Sequence, residues 1–251
     1  MLKITPKIVK KMASYYSFNF SKHKRSKKKI KYLIYHYTGM KNDRLAIERL
    51  TNTRSKVSSH YYITLRGKII QMVPDNYVAW HAGVSYWKND KSLNLKSIGI
   101  EISNPGHQHG YLSFRKEQIK SLIKISRTLI KKYKIKKENI LGHSDIAPLR
   151  KKDPGEKFPW ENLAKYNLVW SHTLNLKKIK KFRKNKLPSK FEKKIFINNL
   201  YKIGYKRIEG SKFNKNIKYL TIAFQRRFRQ GLVDGKIDKE CLIISKNLIS
   251  H

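Results

Sequence analysis

The chain of 251 residues is long enough to bury a core as one large domain or as two domains of ordinary size. Its 58 lysine and arginine residues against 16 aspartate and glutamate residues give a net charge of +42, which predicts polyanionic partners. The single cysteine, Cys241, excludes an internal disulfide framework. The sequence contains neither an apolar run of about 18 residues for a membrane span nor the apolar stretch of a signal peptide.

These properties predict a monomer without a transmembrane segment. We expect it in the cytoplasm, or released to the periplasm or cell wall without a cleaved signal peptide, and the missing signal favours the cytoplasm.

The first part of the chain alternates between strand and helix patterns, which favours an α/β fold. Runs of β-branched and aromatic residues predict strands at 32–38, 60–65, 68–73, 97–103 and 139–143. The turn at Arg66 and Gly67 joins two of them as a hairpin. Helical spacing of apolar residues predicts helices at 42–51 and 116–133. The apolar face of the longer helix is predicted to contain Ile119, Leu122, Ile123, Ser126, Ile130 and Tyr133.

The last part of the chain has a different character. A basic stretch at 177–194 is either solvated charge or a linker, and three helical segments follow it. Ser189 and Glu192 have capping-box spacing, Phe191 is predicted to face the core, and Gly204 ends the first helix. The predicted boundaries are a basic extension at 1–29, a catalytic domain at 30–172, a linker at 173–187 and a three-helix domain at 188–249.

The residues that could carry chemistry are His36, His143 and Asp153, because a zinc enzyme needs three such ligands and an open fourth position. Each also has a plainer interpretation, as a buried core histidine, a loop hydrogen-bonding group or a cap before a proline. Glu101 lies inside an apolar strand, where a carboxylate can act as a general base, although an edge-strand glutamate facing solvent is equally consistent. Lys151 alone carries little information among so many basic residues.

Several strings taken together resemble the zinc-dependent N-acetylmuramoyl-L-alanine amidase family. They are YHYTG around His36, VSSHYYI from Val57, AWHAG from Ala79, SIGIEISNPG from Ser97 and GHSDIAPLRKKDPGEKFPW from Gly142. The family includes cell-wall recycling amidases, phage lytic amidases and peptidoglycan recognition proteins. The strings LYKIGY, AFQRRF and GLVDGKIDKE are similar to a small peptidoglycan-binding domain.

The resemblance implies a mixed central sheet flanked by helices, and one zinc ion bound by His36, His143 and Asp153. It makes Glu101 the catalytic carboxylate and Lys151 a second catalytic group that stabilises the oxyanion. Ser59 stands where some phage members have a tyrosine, so the base role falls to Glu101. Asp153 stands where other members have a cysteine ligand.

The substrate implied is peptidoglycan or a muropeptide, cut between the lactyl group of N-acetylmuramic acid and L-alanine. Trp80 and His81 would line the groove, with Asn104 near the stem peptide, although a core role for Trp80 is equally consistent. No candidate ligand or base lies in 188–249, so removal of these residues is predicted to spare hydrolysis of a small substrate.

Two other functions compete with this one. A non-catalytic muropeptide recognition protein would lack a ligand or the carboxylate, and all of these positions are filled here. Binding of nucleic acid or another polyanion would use the basic surface, but no recognised nucleic-acid-binding motif accompanies the charge.

Overall fold

The computed structural model describes residues 15–183 and 188–250. These residues form two compact units, one of residues 15–83 and 92–140 and the other of residues 84–91, 141–183 and 188–250. Within these ranges, no helix combines the length and the apolar character that crossing a membrane requires.

The strands are numbered in chain order. They are β1 (Phe20–Ser21), β2 (Tyr32–Tyr37), β3 (Tyr61–Ile63), β4 (Ile69–Gln71), β5 (Val78–Ala79), β6 (Tyr86–Trp87), β7 (Asp90–Lys91), β8 (Ser97–Ile102) and β9 (Ile140–Gly142). The helices are α1 (Asp43–Thr51), α2 (Lys116–Tyr133), α3 (His143–Ile146), α4 (Trp160–Lys165), α5 (Leu176–Ile179), α6 (Lys190–Ile203), α7 (Phe213–Phe228) and α8 (Lys239–Ile249). Short 3₁₀ helices occur at Lys27–Lys29, Thr53–Ser55, Leu93–Lys96, Lys137–Asn139 and Lys180–Phe182.

The central element is a five-stranded sheet in the order β4-β3-β8-β2-β9. β8 runs parallel to both β2 and β3, whereas β3 and β4 pair antiparallel around the predicted turn. The middle residues of β2 and β8 are fully buried, as expected for parallel strands covered on both faces. The mixed central sheet that the resemblance implies is therefore confirmed.

The two helices predicted for the first unit are confirmed. α1 begins after Asn42, whose side chain accepts a hydrogen bond from the Leu45 amide, and α2 has the predicted bounds. The predicted apolar face of α2 is only partly right. Gln118, Leu122, Ile125, Ser126 and Leu129 are its buried residues, so the buried face is rotated away from the predicted one. A search for apolar residues at helical spacing cannot find Gln118, because its side chain is polar although it is buried.

The N-terminal residues that the structure describes pack within the first unit. β1 pairs antiparallel with β5, and Arg25 is 7% exposed. Its guanidinium donates hydrogen bonds to the backbone oxygens of Asp75 and Asn94. The sequence pattern predicts this segment as part of a basic extension, and residues 1–14 of that extension lie outside the described residues.

In the second unit, the three predicted C-terminal helices are present as α6, α7 and α8. The capping box of Ser189 and Glu192 is formed. The prediction that Phe191 faces the core is wrong, because its side chain is 72% exposed and Phe196 is buried instead. Position 191 lies in the first turn, on the solvent side of a helix whose buried face begins at Phe196.

The predicted linker at 173–187 contains α5 and an ordered ion pair. Arg183 donates hydrogen bonds of 2.6 and 2.9 Å to the fully buried Glu240 carboxylate in α8. Residues 184–187 lie outside the described part of the chain. The compact units group the residues differently from the predicted domain boundaries, which remain a proposal.

Candidate metal centre

The sheet places His36 and Glu101 side by side. His36 of β2 is the register partner of Glu101 of the parallel strand β8, so both side chains project from the same face of the sheet. His36 is 1% exposed, and Glu101 is half-buried. The sheet therefore places the predicted ligand His36 directly beside the predicted base Glu101.

His81 is the hydrogen-bonding partner of His36 in the first unit. Its Nδ1 lies 3.0 Å from His36 Nε2, and its Nε2 lies 3.1 Å from Ser97 Oγ. The ring sits directly over Gly99, where an added Cβ would lie 2.5 Å from His81 Cγ. Only a glycine at this position of β8 leaves room for the imidazole.

The direction of these hydrogen bonds can be worked out from the serine. Ser97 Oγ donates its proton to the Leu93 carbonyl at 2.6 Å, so it accepts from His81 Nε2. With its proton on Nε2, His81 presents Nδ1 as an acceptor to His36 Nε2, and this arrangement leaves His36 Nδ1 as the nitrogen that a metal ion would take. His81 therefore orients the ring of the first candidate ligand, and its predicted place along the substrate groove stays a prediction.

His60 supports Gly99 from the backbone side. Its Nδ1 accepts a hydrogen bond of 3.0 Å from the Gly99 amide, and its Nε2 lies 3.1 Å from the Tyr77 carbonyl. Arg25 Nη2 lies 2.8 Å from the same nitrogen. Burial and, secondarily, the charge of Arg25 lower the pKa of His60 to about 3, so the ring is neutral at physiological pH.

The other two candidate ligands lie together in the second unit. His143 follows β9 and Asp153 ends the next loop, and His143 Nδ1 lies 3.0 Å from Asp153 Oδ2. The backbone closes this loop, because the Ser144 amide donates to the Asp153 carbonyl at 2.8 Å. Gly142 allows the close approach, since a Cβ there would lie 2.6 Å from Pro154 Cδ.

Arg150 is a neighbour of this pair that the sequence interpretation did not single out. It donates hydrogen bonds of 3.1 and 2.7 Å to the Val84 carbonyl, and its Nη2 lies 3.4 Å from His143 Nε2. Burial lowers the pKa of Arg150, and the Asp153 charge opposes that shift. One arginine among 58 basic residues gives no signal in the sequence.

Three side chains predicted as ligands form one group of possible metal donors. His36, His143 and Asp153 are all buried, each offers one ligand atom, and these atoms lie within 4.8 Å of one another. Two imidazole nitrogens and one carboxylate oxygen are donors that zinc accepts in catalytic sites with an open position. The donor set therefore fits a zinc ion.

The remaining predicted site residues are less diagnostic. Lys151 is half-buried, and its backbone amide donates to the Ala147 carbonyl at 3.0 Å. Trp80 is half-buried, and its indole nitrogen donates to Ser21 Oγ at 3.3 Å. Their catalytic and substrate-binding roles stay predictions.

Asn104 has a clear local role in the loop after β8. Its side-chain nitrogen donates to the Leu112 carbonyl at 2.8 Å, and its side-chain oxygen accepts from the Gly106 amide at 3.0 Å. The side chain is 2% exposed and shapes this loop. Its contact with a stem peptide also stays a prediction.

Comparison with known proteins matches these residues to a family. The sequence profile of N-acetylmuramoyl-L-alanine amidase matches residues 26–156. The N-acetylmuramoyl-L-alanine amidase AmiD of Escherichia coli strain K12 is 33% identical over 235 residues, which are 88% of this chain and 83% of AmiD. The chain belongs to the N-acetylmuramoyl-L-alanine amidase family. The profile match and the similarity to AmiD confirm the predicted family and the predicted amidase activity.

A second relative covers only part of the chain. The 1,6-anhydro-N-acetylmuramyl-L-alanine amidase AmpD of Haemophilus influenzae is 42% identical over 107 residues, which are 42% of this chain and 56% of AmpD. Of the two, AmiD aligns with about twice as much of this chain.

Solved structures agree with the sequence comparison. AmiD from E. coli, in complex with the substrate anhydro-N-acetylmuramic acid-L-Ala-D-gamma-Glu-L-Lys, superposes with a TM-score of 0.77 and 30% identity over 92% of both chains. AmpDh3 from Pseudomonas aeruginosa gives a TM-score of 0.77 and 26% identity over 100% of this chain and 98% of that chain. The amidase similarity therefore covers both compact units.

Proposed function

We propose that this amidase uses one zinc ion, held by His36, His143 and Asp153, to cut the amide between the lactyl group of N-acetylmuramic acid and L-alanine. The observation that carries the proposal is the meeting of these three buried donors in one group. When bound there, zinc supplies a Lewis acid that polarises the amide carbonyl and makes water more acidic.

Glu101 is proposed as the general base. Its position beside His36 on one sheet face puts a carboxylate next to a ligand, within the distance of neighbouring strands, about 4.8 Å. The carboxylate takes a proton from the attacking water and passes it to the nitrogen of the leaving L-alanine. Both transfers need the carboxylate to be ionised at the start of the cycle.

Lys151 is proposed to stabilise the oxyanion that develops on the carbonyl. Its backbone lies two residues before the proposed ligand Asp153, and its side chain is half-buried. An ammonium donates hydrogen bonds and carries the complementary charge, which strengthens the interaction as the oxyanion forms. Removal of this charge should therefore lower kcat more than it raises KM.

The proposed substrate class is the soluble anhydromuropeptide. Support comes from AmiD, whose solved complex holds an anhydro-N-acetylmuramic acid peptide and whose chain aligns along nearly the whole length of this one. The basic surface also suits the carboxylates of a stem peptide, because opposite charge speeds encounter. Intact peptidoglycan carries the same scissile bond and is the natural competitor.

The test is to compare two substrates at one enzyme concentration. Free peptide released from a soluble anhydromuropeptide and from purified sacculi is quantified by chromatography, with the Glu101→Gln variant as the inactive control. We expect faster release from the soluble substrate. Release from sacculi alone would overturn the proposed substrate class, and release from neither would overturn the proposed function.

A further inference from the structure

Asp145 is a buried carboxylate between the two proposed ligands of the second unit, two residues after His143. It is 1% exposed, and its oxygens accept three hydrogen bonds. The Gly142 amide donates at 2.8 Å, the Tyr205 hydroxyl at 2.8 Å and Arg227 Nη1 at 2.9 Å. The turn that carries His143 is thus attached to α7 through Arg227 and to Tyr205, two residues beyond α6.

Both donors are themselves held in place. Arg227 is 4% exposed, and its guanidinium lies over the Trp160 ring at 4.8 Å. Tyr205 is 2% exposed and packs edge-on against Trp87, with ring centroids 5.0 Å apart. Burial and, secondarily, the Asp145 charge raise the pKa of Tyr205, so its hydroxyl keeps the proton that it donates.

The other end of the ligand loop is held by the same region of the chain. Gln230, two residues beyond α7, donates hydrogen bonds of 2.5 Å to the Glu156 carbonyl and 2.8 Å to the Phe158 carbonyl. Arg226 also lies 3.6 Å from the Glu156 carboxylate. Residues at the end of α7 and just beyond it therefore contact the start of the segment from His143 to Asp153, at Asp145, and the chain just after it, at Glu156 and Phe158.

We infer that Tyr205 and Arg227 are positioning residues of the metal centre, which hold the His143 turn through Asp145. The inference rests on the proposed zinc site. Partners that orient metal ligands typically contribute about 10-fold to 100-fold in metal affinity. The C-terminal helices then serve the chemistry itself, in contrast to the sequence-based prediction that their removal would spare hydrolysis.

The experiment measures zinc affinity in the full chain by competition with a chromophoric chelator. Tyr205→Phe removes one hydroxyl and little volume, and Tyr201→Phe makes the same change on α6, away from Asp145. We expect Tyr205→Phe to weaken zinc binding by up to about tenfold, the lower end of the range for groups that contact a ligand directly, because Tyr205 acts through Asp145 and the Gly142 amide. Tyr201→Phe should leave zinc binding unchanged. Kinetics on a soluble muropeptide should show a lower kcat for Tyr205→Phe at saturating zinc, with KM little changed.

Further variants at Asp145 and Arg227 separate positioning from simple stabilisation. Asp145→Ala removes both carboxylate oxygens and should weaken zinc binding. Adding Tyr205→Phe to it should have no further effect, because the Tyr205 hydroxyl acts through Asp145. Arg227→Lys keeps the charge and should retain more zinc affinity than Arg227→Met.

Two results overturn the inference. One is a Tyr205→Phe variant with wild-type zinc affinity. The other is that all of these variants bind zinc normally and lower only the free energy of unfolding of the metal-free protein, measured in urea. A wild-type protein that binds no zinc would instead refute the proposed function.

Discussion

The packing of His81 on Gly99 allows a quantitative prediction. In Gly99→Ala the new Cβ would lie 2.5 to 2.7 Å from His81 Cγ, Nδ1 and Cδ2, whereas carbon atoms in contact prefer about 3.5 to 4.0 Å. The ring must therefore move by about 1 Å, which breaks its hydrogen bonds to His36 and Ser97. Overpacking costs about 1 to 3 kcal/mol, and each of the two lost hydrogen bonds costs about 0.5 to 1.5 kcal/mol. We therefore expect the free energy of unfolding to fall by about 2 to 6 kcal/mol.

The assay is urea unfolding of the metal-free protein, followed by fluorescence, in a double-mutant cycle with His81→Ala. Removing the imidazole removes the clash, so Gly99→Ala should cost little in the His81→Ala background. In the His81→Ala protein, alanine at position 99 can raise the free energy of unfolding by about 0.4 to 1 kcal/mol, because alanine restricts the unfolded chain more than glycine does. Zinc affinity should fall with the single Gly99→Ala change, because His36 loses the partner that orients its ring.

An equal cost of Gly99→Ala with and without His81 would refute this reasoning, since the loss would then come from the strand and not from the ring. Ser97→Ala is a useful companion variant. It removes the hydroxyl that accepts from His81 and donates to the Leu93 carbonyl, without adding volume. Loss of these two hydrogen bonds should lower the free energy of unfolding by about 1 to 3 kcal/mol.

Three further predictions address the catalytic groups and the pH response. Glu101→Gln should keep its zinc and lose about 10² to 10⁴ in turnover, as measured by peptide release, and a loss of only a few-fold would assign the base elsewhere. Lys151→Met should lower kcat with little change in KM, and a change in KM alone would make it a binding residue. The pKa of His60 is about 3 in the folded protein and has its ordinary value of 6.5 in the unfolded chain, so the unfolded chain binds more protons between these values. The free energy of unfolding should therefore fall by about 1.4 kcal/mol per pH unit as the pH drops below about 6.5. Urea midpoints at several pH values check this slope, which should be shallower in His60→Gln.

Local patterns in the sequence are enough to predict the secondary structure that carries the site. The strand containing His36, the strand containing Glu101 and the helix α2 all follow from side-chain type and spacing. The motifs around His143 and Asp153 supply the remaining candidate ligands through the family resemblance.

The supporting contacts could not be predicted in this way, because they depend on tertiary structure. Asp145 and Arg227 are 82 positions apart, and no local pattern links an aspartate in the short helix α3 to an arginine at the end of a distant helix. His81 is predicted from the sequence to line a groove, but its place over Gly99 depends on the packing of a loop on the sheet. The rotated face of α2 has the same origin, since Gln118 is buried by donating to the Ser103 carbonyl.

The central claim is a zinc amidase site formed by His36, His143 and Asp153. The most direct measurement is titration of the metal-free protein with zinc, with the released muropeptide products identified by mass spectrometry. We expect activity to rise linearly to one zinc per chain and to yield a peptide with a free L-alanine amine, and Asp153→Ala should show neither binding nor release. Full activity of the metal-free protein, or of Asp153→Ala, would contradict the account.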